Sequence, residues 1–447
     1  MKIPRKEIKK EGLKLMALGS PIIATQLLRM GLNFTDTVMA GNLSALDLAG
    51  VAIGNAVYLP VAIFCMATLI AVNPVVSQLL GARKFEEIGK SARQMFWLIL
   101  MLAIPCFFIL RNLHIVMELI GVTDEIIPLA SGYLKAISWG VLPLFAYAGV
   151  RYFSEGLSVT RPAMYIAAAS LVLNVGANYV LMYGKLGFPQ LGAIGAGYAT
   201  TIINFFGAAV FIGFTASFKP FKRFNIFERT TGPEWKYIKE LLKVGLPNGA
   251  SSAMEVLLFA VVSLLMGTLS VKAAAAHQVA INVAATMFMI PFGLSIAISQ
   301  RVGFSIGQGS MSKARFRGYV GIAICGLLMT CTAILLFSAP EFIIRIYTHD
   351  PEVANIAVAL IFMAGVFQIS DGLQVGAFGA LRGLKDTRIP MVVNFISYWI
   401  IGFPAGYLLG IFFNFGPEGL WIGLICGLTL AAILHNYRFN RLTKPRD

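Results

Sequence analysis

The chain has 447 residues, of which 57% are hydrophobic and 13% charged, with a mean hydropathy of +0.77 and a formal net charge of +15. These values exclude a soluble globular domain, so lipid is the solvent for most of the sequence. The basic surplus calls for no nucleic-acid partner, because positive loops on one side of a membrane and attraction to anionic lipid account for it.

The basic start "MKIPRKEIKKEGLKLM" runs directly into a long apolar segment, with no short hydrophobic region and no small-residue cleavage site. A retained first helix is expected, not a cleaved signal. Apolar runs long enough to cross the hydrocarbon as helices then recur twelve times, at about 14–40, 48–80, 93–116, 127–154, 161–184, 190–217, 240–268, 273–305, 318–339, 353–381, 388–413 and 417–437. Such continuous runs exclude the short alternating strands of a membrane β-barrel. The predicted fold is an all-α integral membrane protein of twelve transmembrane helices.

Placing both termini and every second loop on one side gathers 28 of the 36 Lys and Arg there, and leaves only Arg111, Lys185, Lys272 and Arg345 in the opposite loops. Short Lys- and Arg-rich loops stay in the cytoplasm, so both termini are expected to be cytoplasmic.

The longest polar connection lies near the middle of the chain. It divides an N-terminal six-helix lobe, 1–217, from a C-terminal one, 240–447, with a cytoplasmic linker at 218–239. The halves match at an offset of 226: Pro21 with Pro247, Gly41 with Gly267, Ser44 with Ser270 and Gly81 with Gly307. Later the offset is 227, pairing Gly156, Leu157, Thr160 and Arg161 with Gly383, Leu384, Thr387 and Arg388. Because six is even, both halves enter the membrane from the same side. They read as a parallel internal repeat, an architecture in which two lobes rock about a shared substrate site.

Only three acids fall well inside predicted spans: Asp36, Glu255 and Asp371. An intramembrane carboxylate must face a cavity, find a partner or carry a proton, and it can trade that proton for a metal or organic cation. Arg29 lies seven residues before Asp36 on nearly the same helix face, so a structural ion pair is the competing reading there. Glu255 has no cation within helical reach, and its repeat-mate is Arg29. Asp371 sits among Gln368, Ser370 and Gln374.

Asn174 and Asn178 share a helix face, as do Gln278 and Asn282. They are candidates to line a cavity, or to form hydrogen bonds between helices. His277 reads as a packing histidine. Cys65, Cys106, Cys325, Cys331 and Cys426 all lie in apolar spans with no paired motif, and read as small packing residues. Pro21, Pro60, Pro143, Pro247, Pro291 and Pro404 are expected to bend their helices. Some of the 33 Phe and 18 Met can line an adaptable pocket for flat aromatic cations.

The stretches "FTDTVMAG", "NPVVSQLLGA", "EGLSVTRPAM", "LNVGANYVLMYGKLGFPQLGAIGAG", "AMEVLLFAVVSLLMG", "AAAHQVAIN", "RVGFSIGQG" and "LRGLKDTRIP", in order on both halves, resemble the multidrug and toxic compound extrusion (MATE) transporters of the NorM-type branch. The resemblance implies a secondary active exporter of cationic, often aromatic drugs, not an enzyme, in a bacterial inner membrane. Antiport would use Na+ or H+, with no other cofactor and with a monomer as the expected form. It implies cation-coupling or substrate-binding roles for Asp36, Glu255 and Asp371, with Asn174, Asn178, Asn282 and Phe367 nearby, and a Na+ site at Glu255 and Asp371 if coupling is to sodium. Phe367 departs from the pattern, standing where relatives can carry tyrosine. Arg29 is a charge the pattern does not call for. A lipid or oligosaccharide flippase of the same two-lobed architecture is the alternative function.

Overall fold

The computed structural model describes residues 5–227, 231–348 and 350–444. Residues 228–230, within the expected linker, and the extreme termini counted in the charge tally lie outside the described residues.

The twelve spans form as helices, and no strand occurs among the described residues. They are α1 (Arg5–Gly41), α2 (Ala45–Gly81), α3 (Phe85–Asn112), α4 (Ile127–Ser138, continuing as Val141–Gly156), α5 (Arg161–Leu181) and α6 (Gly192–Ser217). The second half repeats them as α7 (Trp235–Leu269), α8 (Val271–Gly307), α9 (Met311–Ser338), α10 (Pro351–Gly383), α11 (Arg388–Phe412) and α12 (Gly416–Thr443).

The repeat extends to the caps and turns. Ser44 and its mate Ser270 each take the N-cap position, their hydroxyls accepting from Asp47 N and Ala273 N at 2.9 Å. This satisfies a backbone donor that the first helical turn leaves free. Ser158 and its mate Lys385 both adopt left-handed backbone, at φ of 67° and 60°, in the turns that end α4 and α10. Asp47 does a second job, accepting from Ala193 N at 2.7 Å to fix the start of α6. Gly192, at φ of 53°, leaves room for that carboxylate, which a Cβ would strike.

Three helices depart from regular α geometry. The two parts of α4 bend by 50° at Trp139–Gly140, just ahead of Pro143. In α2 the helix breaks at Ile70 and Ala71, three residues before Pro74. The prolines Pro21 and Pro247 lie inside unbroken helices. In α11, wide π turns at Ile396–Gly402 and Leu408–Phe412 flank Phe403–Tyr407, which contains Pro404. There Gly402, Gly406 and Gly410 lie against Gly427, Gly423 and Gly419 of α12, so the backbones meet directly. A Cβ on Gly419 would sit 2.5 Å from Gly410 N, and one on Gly402 3.0 Å from Gly427 Cα. Small residues permit that approach, the usual basis of close helix pairing in lipid.

Contacts divide the chain into two compact units. The N unit is Ala24–Gly249. The C unit holds the described residues up to Ile23 and from Ala250 onward. Both crossings come three residues or fewer after a repeat-mate proline, Pro21 in α1 and Pro247 in α7. Inside the C unit the start of α1 is fastened by Glu11, which accepts from Arg301 Nε at 2.7 Å and Nη2 at 2.6 Å. Arg317 adds a third contact at 3.6 Å and donates to Ser305 Oγ at 2.6 Å.

Candidate functional site

In the N unit, α1 carries Asp36 inward to a pocket of polar side chains from α5 and α6. The carboxylate is 2% exposed. Asn178 Nδ2 donates to Oδ1 at 2.6 Å, and Thr200 Oγ1 donates to Oδ2 at 2.9 Å. Asn178 also donates to Asn174 Oδ1 at 3.3 Å, which the four-residue spacing on α5 allows. Both carboxylate oxygens therefore accept a hydrogen bond, an arrangement that holds the carboxylate in one orientation with its charge compensated by dipoles alone. Tyr133, fully buried, faces Asp36 from α4 and bonds Asn55 Oδ1 at 3.3 Å.

Arg29 does not neutralise Asp36. Its guanidinium lies over the ring of Tyr147, 5.2 Å from the centroid, and no ion pair joins the two residues among those described. The burial that the sequence reading missed is Arg151 with Glu155, at 3.4 Å, where Arg151 also donates to Gln26 Oε1 at 3.0 Å. Both ionic groups sit at the end of α4, and an estimated span boundary at 154 put Glu155 just outside.

In the C unit, α10 places Asp371 in the interior at 1% exposure, with both carboxylate oxygens free of hydrogen bonds. Glu255 of α7, half-buried, is close enough for the two charges to interact, and the Tyr398 hydroxyl of α11 is close to both. Gln374, one turn after Asp371, donates to that hydroxyl. Gln368, one turn before, donates to Ala284 O of α8 at 3.4 Å. The side-chain oxygens of Gln368 and Gln374 are buried and free of partners, as is that of Asn394 on α11. The C unit thus holds a buried set of oxygen acceptors with too few donors. That is the reverse of the Asp36 pocket, and it suits a proton or a hard cation that prefers oxygen ligands. Among the described residues no group of three or more His, Cys, Asp or Glu comes together, so any cation here would rely on the two acids plus neutral oxygens.

The remaining candidates have contacts of their own. Asn282 is half-buried and accepts from Gln278 Nε2 at 3.3 Å along α8. Phe367 is packed between Phe259 and Trp421, with ring centroids 6.0 Å from each. His277 accepts from Trp421 Nε1 at 3.1 Å through Nδ1, and its Nε2 meets Ser263 Oγ at 2.9 Å. With Nδ1 occupied as an acceptor, the hydrogen is on Nε2, and the ring ties α7, α8 and α12 together as a packing group. All five cysteines are free, but Cys331 and Cys426 are exposed and not packed in the interior as expected.

Thr200 and Tyr398 were not singled out from the sequence. A threonine or tyrosine in an apolar helix carries no signal by itself, since either commonly bonds its own backbone or packs.

Comparison with known proteins shows the family and the fold. The family model described as MatE matches twice, at residues 21–180 and 247–408, one copy per half. The multidrug resistance protein MdtK of Yersinia pseudotuberculosis serotype O:1b is 38% identical over 97% of this chain and 96% of that protein. MdtK of Yersinia enterocolitica serotype O:8 is 38% identical over the same shares. Among solved structures, the eukaryotic MATE transporter AtDTX14 superposes with a TM-score of 0.90 at 20% identity, covering 98% of this chain and 99% of that one. A multidrug resistance MATE transporter of the MOP superfamily in an outward-facing conformation gives 0.88 at 18% identity, covering 97% of each.

Proposed function

The chain belongs to the MATE family, and from that premise we propose that this multidrug efflux transporter exports cationic aromatic compounds by antiport with Na+ or H+. It is an integral membrane protein, and we place it in a bacterial inner membrane with both termini in the cytoplasm.

The observation that carries the mechanism is the contrast between the two buried acid centres. Asp36 has its charge held by Asn178 and Thr200, so it can attract an organic cation without a resident counterion. Asp371 has no donor on either oxygen and Glu255 beside it. Two carboxylates brought together out of water cannot both hold negative charge cheaply, so this pair takes up a proton or Na+. Occupancy of the pair by the coupling cation favours the state that sheds drug outward. Loss of that cation inward resets the cycle, because a ligand shifts a conformational equilibrium only through its unequal affinity for the two states.

The test is ethidium efflux from proteoliposomes under an imposed Na+ gradient in one arm and an imposed pH gradient in the other. Efflux in either arm supports antiport and names the ion. No efflux in either arm, from folded protein and across several cationic dyes, would leave the flippase as the better reading.

A further inference from the structure

The linker that follows α6 reads "SFKPFKRFNIF" over residues 217–227, with phenylalanine at 218, 221, 224 and 227 and basic residues between them. Phe221 and Phe224 are buried and pack on Phe153 of α4, with ring centroids 5.7 and 6.3 Å away, while Lys219, Lys222 and Arg223 are exposed. Asn225 on one side of residues 228–230, and Thr231 and Gly232 on the other, are fastened to the start of α3 as a strap. Arg93 Nη1 donates to Asn225 O at 2.8 Å, Gln94 Nε2 to Gly232 O at 3.0 Å and Trp97 Nε1 to Thr231 O at 3.0 Å. Gly89 permits the approach, since a Cβ there would strike Phe224 O.

The strap gathers cations that lack acids. Among the described residues no carboxylate pairs with Arg93, Lys219, Lys222 or Arg223, and on the first turn of α3 Glu87 pairs with Lys84 instead. Arg223 lies over the rings of Phe85 and Phe224, 4.9 and 4.7 Å from their centroids. A guanidinium stacked in this way keeps its N–H edge for an oxyanion. Arg93 Nε is buried with no hydrogen-bond partner. Further along α3, Trp97, Leu100, Met101 and Ile104 are all exposed, and their spacing from Arg93 puts them on its face as one apolar stripe. Arg93 to Ile104 is about 17 Å of helix, close to the ~15 Å hydrocarbon depth of one leaflet. Trp97 marks the level where the cations and the stripe meet, as interfacial tryptophans do.

We propose that the strap and α3 form a binding site for an anionic phospholipid. Its phosphate is held by Lys222 and Arg223, with Lys219 and Arg93 adding charge, and an acyl chain lies along the stripe from Trp97 to Ile104. Charge sets the class. Four cations without a paired acid favour a headgroup of net negative charge over a zwitterionic one, whose own ammonium they repel. The site makes no use of either acid centre, so its test is independent of the export reading.

The test places the purified full chain in bilayers of equal parts phosphatidylglycerol and phosphatidylcholine, with one or the other brominated on its acyl chains. Bromine quenches tryptophan on contact, so the difference between wild type and Trp97→Phe reads which lipid occupies the stripe. The relative association constant at Trp97 is expected to favour phosphatidylglycerol about tenfold in wild type. It is expected to fall to near unity when Lys222→Gln is combined with Arg223→Gln, since each cation near an anionic headgroup counts for about fivefold. Both residues are exposed and make no described hydrogen bond to the strap, so the variant is expected to fold. Arg345→Gln, which removes a charge outside the site, should keep the preference, and added salt should shrink it in wild type without any substitution. Equal quenching by the two lipids in wild type, a preference that persists in the double variant, an equal loss in Arg345→Gln, or a preference indifferent to salt would each overturn the site.

Discussion

Asn178 donates its side-chain amide to Asp36 Oδ1 at 2.6 Å, across two helices whose residues are 142 apart in the chain. With Thr200 on the other oxygen, this makes the geometry of Asp36 depend on α5 and α6 as much as on α1. Replacing Asn178 by Leu keeps the volume but leaves Oδ1 buried without a donor. A hydrogen bond to a charged group contributes about 1.5–3 kcal/mol, so dye affinity is expected to fall about tenfold or more. Thr200→Val is expected to give a smaller loss. Binding titrations on the two variants check the order, and a Thr200→Val loss larger than that of Asn178→Leu would contradict it.

Glu11 grips Arg301 through two short hydrogen bonds, and both side chains are largely buried. This pair holds the first stretch of α1 in the C unit. Breaking a buried pair from one side leaves the other charge uncompensated, at about 3–5 kcal/mol. Glu11→Gln retains the shape and is expected to lower the melting temperature in detergent markedly. Arg301→Met with Glu11→Leu should recover part of that loss, since it removes the uncompensated Arg301 charge but still leaves Arg317 without its contact to Glu11.

His277 sits between Trp421 and Ser263, with each ring nitrogen engaged. His277→Ala is expected to destabilise the protein by about 1–3 kcal/mol, because the buried Trp421 indole N–H loses its acceptor. The ion dependence of efflux should not change. A loss of pH-driven transport at unchanged stability would make His277 a proton carrier, contrary to the packing role assigned here.

The α11–α12 seam admits no side chain at Gly423, where a Cβ would collide with the Gly406 backbone. Gly423→Ala is expected to cost about 1–3 kcal/mol by overpacking and to reduce the folded yield. Gly213→Ala, where a Cβ meets nothing within 4 Å, serves as the control and should be neutral or slightly stabilising.

The twelve spans were legible because an apolar run of membrane length has one solution in lipid, a helix. The repeat was legible because glycines, prolines and caps such as Ser44 and Ser270 hold fixed backbone geometry and so preserve their spacing. Asp36, Glu255 and Asp371 stood out by cost alone. Their surroundings did not. Thr200 and Tyr398 look like ordinary helix residues until tertiary packing brings them to a carboxylate. Glu155 was hidden by a span boundary a single residue too early. The π turns of α11 leave no composition signature, since they depend on how Gly402 and Gly406 settle against α12. The crossing of α1 from one unit to the other at Pro21 was likewise invisible, because a proline signals a bend without saying which neighbours lie on either side of it.

The division of labour between the two acid centres is the central claim, and gradient-driven ethidium efflux by Asp371→Asn, alongside ethidium binding by the same purified protein, tests it most directly. Asp371→Asn is predicted to bind ethidium close to wild-type affinity while losing its response to the Na+ or pH gradient. Full gradient-driven efflux by folded Asp371→Asn would contradict the assignment of coupling to the Glu255–Asp371 pair.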